Sequence, residues 1–91
     1  MNDATILLMV KTNLGIVGSA YDDYLGHCVT AAKAEIIREG ASDLDASSRV
    51  DDAMLVIMYA SWLWAKRNEN TPMPRMLRYA LNNRIFGVKM S

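Results

Sequence analysis

The sequence predicts an all-α chain: a small four-helix bundle-like domain whose second and third helices form a long antiparallel pair. Three observations lead there. Hydrophobic residues make up 52% of the 91 residues and charged ones 22%, with only two prolines and five glycines, a composition that favours helices over strands and excludes disorder. Apolar residues recur at helical spacing in four separate stretches. Between those stretches stand clear breaks: the pair Gly15 and Gly18, Gly40 with the small polar loop 41–47, and "NENTPMP". Residues 1–91 are therefore read as one domain with a modest core.

The first helix covers about 4–13, with Asp3 as N-cap and Ile6, Leu7, Val10 and Leu14 at helical spacing. The second covers about 20–39. Ser19 and Asp22 resemble a capping box, Asp22 and Asp23 suit the positive end of the helix dipole, and Gly40 closes the helix. Its apolar stripe is Tyr21, Leu25, Cys28, Val29, Ala32 and Ile36. The third covers about 48–68, with Ser48 and Asp51 as a second box-like start, Asp52 beside them, and Lys66 and Arg67 at the other end. The fourth covers about 74–85, with Pro74 in its first turn and Leu77, Leu81 and Ile85 as its stripe. Gly87 ends that pattern and leaves 86–91 as a short tail. In the tail Phe86, Val88 and Met90 alternate with Gly87, Lys89 and Ser91, the period of a strand, which suggests either a frayed end or an arm that adds to a partner.

The third helix raises the main question, because "LVIMYASWLWA" is apolar on almost every side. At about 100° per residue, Val50, Met54, Ile57, Met58, Ser61, Trp64 and Ala65 share one arc, expected to face the other helices. Leu55, Tyr59, Trp62 and Leu63 spread over the remaining sides. Either the other three helices wrap this one completely, or the second set meets another subunit, as large aromatic patches do.

No catalytic or cofactor chemistry is legible. His27 is the sole histidine and adjoins the sole cysteine, Cys28; neighbours on a helix diverge by about 100°, so they do not converge on a metal. One cysteine permits no internal disulfide, and Cys28 is expected to be a buried thiol. "LGIVGSA" matches neither the dinucleotide nor the P-loop spacing. Asp22, Asp23, Asp51 and Asp52 stand at helix starts, where capping accounts for them. The uncharged run 53–65 is too short to span a bilayer, and Asp3 lies where a signal peptide would carry bases, so a soluble chain made in a cytoplasm is expected. Neither cofactor, small-molecule substrate nor membrane is expected.

Charge is divided unevenly. Residues 1–52 hold nine acids and four bases, a net of −5, and residues 53–91 hold one acid and six bases, a net of +5. Arg75, Arg78 and Asn82 share a face of the fourth helix, which admits two readings: contact with the acids of a neighbouring subunit, or contact with phosphates.

The order of features, "VKTNLGI", "YDDYLGHCVTAAKAEIIREG", "DDAMLVIMYASWLWAKRN" and "MPRMLRYALNNR", resembles the small head–tail connector (adaptor) family of tailed bacteriophages over nearly the whole chain. The link between the third and fourth helices is shorter than in many relatives. The resemblance implies a structural, non-enzymatic protein of the virion, assembled in the host cytoplasm. It would form a homo-oligomeric ring under the portal protein, extend the DNA channel with non-specific contact to double-stranded DNA, and provide the platform for the next connector or tail completion protein. Within that frame Leu55, Tyr59, Trp62, Leu63, Arg75 and Arg78 are the subunit-interface candidates, and Phe86, Val88 and Met90 the arm. The alternative is a small helical DNA-binding regulator using the basic face of the fourth helix.

Overall fold

A computed structural model describes residues 1–90, with the backbone alone for Lys89 and Met90. Four helices account for most of it: α1 Asp3–Leu14, α2 Asp22–Glu39, α3 Val50–Lys66 and α4 Arg75–Met90. The described residues include no strand, and none of these helices is long and apolar enough to cross a membrane.

The helix boundaries follow the expected breaks, but the capping residues differ. Asn2, not Asp3, caps α1, its side-chain oxygen accepting from the Thr5 amide at 2.8 Å; Asp3 sits in the first turn and pairs with Lys33. Ser19 and Ser48 cap nothing with their side chains. α3 has no side-chain cap; the turn ahead of it is closed by Asp45, whose carboxylate accepts from the Ser47 hydroxyl at 2.7 Å and the Ser48 amide at 3.2 Å. Gly40 does end α2, at φ 138°. A Cβ there would lie 2.9 Å from Cγ2 of Ile85, so the same glycine that turns the chain lets α4 approach.

The expected tail is not a strand. α4 runs through Gly87 to Met90, so Phe86 and Val88 point to different sides of a helix. A glycine costs a helix only about 1 kcal/mol relative to alanine, and the turns on either side carry α4 through it. The Met90 side chain and Ser91 lie outside the described residues.

α3 is the central helix and packs against each of the other three. The α2–α3 pair is antiparallel: Tyr24, near the start of α2, meets Trp64, near the end of α3, edge to face at 5.6 Å. α4 also runs antiparallel to α3, since Leu77 lies by Ser61 and Trp62 while Arg84 reaches back to Asp52. The core is built from Ile6 and Val10 of α1, Leu25, Val29 and Ile36 of α2, Leu55, Val56 and Ile57 of α3, and Leu77 and Leu81 of α4. Ala53 and Ala60, both fully buried, let neighbouring backbones come close to α3.

One polar pair joins α4 to this core. Asp52 is 0% exposed. Its Oδ1 accepts from Nε of Arg84 at 2.6 Å, and its Oδ2 accepts from Nη2 of Arg84 at 3.2 Å and from the Asp45 amide at 2.9 Å. Arg84 also reaches Asp43 at 2.8 Å. Burial alone would raise the Asp52 carboxyl, but the Arg84 hydrogen bonds, the Asp45 amide and the charges of Arg84 and Arg49 outweigh it and hold the pKa below the ordinary aspartate value. Asp52 thus stands in the first turn of α3, as expected, and is also a buried structural anion.

Candidate interaction groove

The three neighbours of α3 cover three of its sides, and the fourth is open. The covered sides are not the expected ones. Leu55 and Tyr59, both 4% exposed, lie inside, so they are not available to another subunit. Ile57 is buried as expected, but Val50 and Met54, expected in the core, are 62% and 41% exposed. The reason is geometric: α1 and α4 flank the side that carries Met54, Met58 and Ala65 without closing over it.

That side forms a groove along α3. Near its start, Asp51, Met54, Leu55 and Met58 face Ala80, Asn83 and Arg84 of α4 across a cavity of about 340 Å³. Further along, Met58, Ser61, Trp62 and Ala65 face Asn13 of α1 and Thr71, Pro74, Met76 and Leu77 across a second of about 300 Å³. Met58 borders both, so the two depressions lie end to end between Asp51 and Ala65, roughly 21 Å at 1.5 Å per residue. Met54, Met58 and Met76 line it, and unbranched thioether side chains adapt to the shape laid against them. Its far end is braced from both walls. Asn13 donates to the Ser61 hydroxyl at 2.9 Å, and the Trp62 indole N–H donates to the Thr71 carbonyl at 3.2 Å.

The six interface candidates therefore separate. Leu55 and Tyr59 are core. Trp62 is half-buried, stacks edge-on to Tyr59 at 5.5 Å and tethers the loop before α4. Leu63 is half-buried in a different cleft, beside α2. Arg78 pairs with Glu39 of its own chain at 3.3 Å, not with an acid held in reserve for a neighbour. Arg75 is exposed and enters no ion pair among the described residues. On the outward side of α4, Tyr79 and Phe86 are 60% and 62% exposed, seven residues apart and so on one stripe.

Sequence reasoning missed the groove because the two methionine turns share an arc with Ile57, which is core. It missed the Asp52–Arg84 pair because 32 residues separate the partners and each has a local explanation. Both His27, exposed, and Cys28, buried, stand where expected; burial pushes the Cys28 thiol up in pKa, against a smaller opposing effect of the Arg67 charge. No group of three or more histidines, cysteines, aspartates or glutamates among the described residues is placed to hold a metal ion. No protein-family model, curated protein or solved structure matches the chain.

Proposed function

We propose that this chain is a structural assembly subunit, a head–tail connector (adaptor) of a tailed bacteriophage that docks side by side with its own copies into a ring on the portal protein. The observation that carries the reading is the placement of two unlike flanks on opposite sides of α3. Leu63 and Arg67, which share a cleft with α2, each lie about 160° around the helix from Ala65 in the groove. The groove and the outward face of α2 therefore point in opposite directions. That outward face offers Thr30, Ala34 and Ile37, all exposed. A subunit with unlike contact faces on opposite flanks makes heterologous contacts, which close into a ring when each step includes a rotation.

The occupant of the groove is the α2 face of the next copy. Ala34 and Met58 lie at similar heights along the antiparallel pair, so level neighbours bring them together. A standard interface takes about 800 Å² from each partner, roughly a seventh of the 5759 Å² surface. In this reading the ring extends the DNA channel and offers a platform to the tail completion protein. The DNA-binding regulator is less well supported, because Arg78 and Arg84 of α4 are already neutralised by Glu39, Asp43 and Asp52.

Cysteine pairing tests the contact. In a Cys28→Ser background, Ala34→Cys chains and Met58→Cys chains are oxidised alone and mixed, beside electron microscopy of the unmodified protein. Rings, with disulfide dimers only in the mixture, are expected. Dimers of Met58→Cys alone indicate a two-fold contact and overturn the ring arrangement. A strictly monomeric protein that gives no rings even with portal present overturns the assembly reading itself.

A further inference from the structure

We infer that the cleft between the start of α2 and the end of α3 binds a phosphate-type oxyanion carrying a flat apolar group. The cleft is a solvent-open depression of about 360 Å³ lined by Tyr24, His27, Cys28, Ala31, Leu63, Lys66 and Arg67. The side chains of Arg67, Lys66 and His27 line it, from two helices, and no carboxylate does.

The cations are held in place without being neutralised. The Arg67 guanidinium lies 3.5 Å from the centre of the Trp64 ring, and Nη1 donates to the Trp64 carbonyl at 2.9 Å. Its other N–H groups stay available, and neither it nor Lys66 enters an ion pair among the described residues. The Lys66 ammonium rests 4.3 Å from the centre of the Trp62 ring, which lines the groove, so its charge lies to one side of the cleft. A planar guanidinium presents paired donors that match two oxygens of an oxyanion, and a stacked one loses less freedom on binding. The Trp64 ring is itself buttressed by Tyr21 and Tyr24, edge-on at 5.1 and 5.6 Å. Leu63, Ala31 and the Tyr24 ring supply an apolar wall for the group attached to the anion.

One effect opposes binding. The last carbonyls of α3 carry roughly half a negative charge at this end. The paired donors of Arg67 have to outweigh it, with Lys66 adding a weaker, more distant attraction. The volume lies at the small end of ligand sites, about 300–1,000 Å³, which suits a single aryl phosphate or one nucleotide. The phosphate has two sources of the same chemistry: a free ester, or one unit of a nucleic-acid strand. This inference does not rest on ring formation.

The test is a titration of the full chain at low salt with phenyl phosphate, followed by backbone amide shifts and by the fluorescence of Trp62 and Trp64. Saturable shifts centred on residues 24–31 and 63–67 are expected, with inorganic phosphate weaker. Arg67→Gln should weaken binding about tenfold, as loss of a charge-assisted hydrogen bond does. Lys66→Gln should weaken it less, and Arg75→Gln, outside the cleft, should leave it unchanged. Melting curves accompany each variant, and Arg67→Lys should recover part of the affinity. Displacement of phenyl phosphate by a short DNA duplex assigns the site to a strand; failure to displace assigns it to a free ester. Absence of saturable shifts, equal binding by Arg67→Gln, or equal weakening by Arg75→Gln overturns the site.

Discussion

The two sides of α3 carry the same kinds of residue and have opposite fates. Leu55 and Met54 are neighbours in sequence, yet one is 4% exposed and the other 41%. Leu55 borders the groove but is buried in the core, whereas Met54, a side chain of similar volume, stays largely open to solvent in it. Apolar content therefore does not decide which side of a central helix is core. The number of neighbours decides it, and three helices cover only three sides.

The contrast breaks most sharply at Asp52. Asp52→Ala removes the buried partner of Arg84, leaving it Asp43 alone, and should destabilise the fold by about 3 kcal/mol, measured by urea unfolding. Leu55→Ala should cost about 2–5 kcal/mol as a core truncation, whereas Met54→Ala, one residue away, should cost under about 1 kcal/mol. Equal losses at 54 and 55 would erase the distinction between the sides. Gly40→Ala should cost about 1–3 kcal/mol, from its positive φ and its approach to Ile85.

Acid sharpens the same contrast. The Asp52 pKa is lowered in the folded chain, so its contribution is fully present above the unfolded value near 3.8 and is lost as pH falls through the folded value below it. The paired replacement Asp52→Leu with Arg84→Met should remove that part of the acid sensitivity, seen as a flatter plot of melting temperature below about pH 4. The smallest expected effect on stability is at the groove: Met54→Glu should barely move the melting temperature and should abolish ring formation. Intact rings with Met54→Glu would remove the groove from the interface.

Four helices, their order and their breaks were legible because each is signalled locally, by apolar period and by glycine or proline. The capping residues were less so: Asn2 does work that Asp3 could equally claim, and α2 and α3 start without the side-chain caps that Ser19 and Ser48 offer. The open side was not legible. Its residues are as apolar as those of the closed sides, and exposure is set by where α1 and α4 settle. The Gly87 break was overread, since Ile85 and Val88 on either side sustain the helix. Within the proposed anion cleft, Lys66 and Arg67 could be read as helix-end cations, and Trp62 and Trp64 beneath them lie one turn back on the same helix; only the buttress of Tyr21 and Tyr24 on Trp64 depends on the antiparallel pairing.

Arg84 and Asp52 are bound together in a further sense, that of descent. Loss of Asp52 leaves Arg84 only the more exposed Asp43, and loss of Arg84 leaves the buried Asp52 only the more distant Arg49, so a change at either one alone weakens the fold. Among relatives of this chain, positions 52 and 84 should change as a pair or stay as they are, while position 54 drifts among apolar residues of adaptable shape. An alignment in which 52 varies freely against a constant Arg84 would mean that the interior tolerates what its geometry forbids.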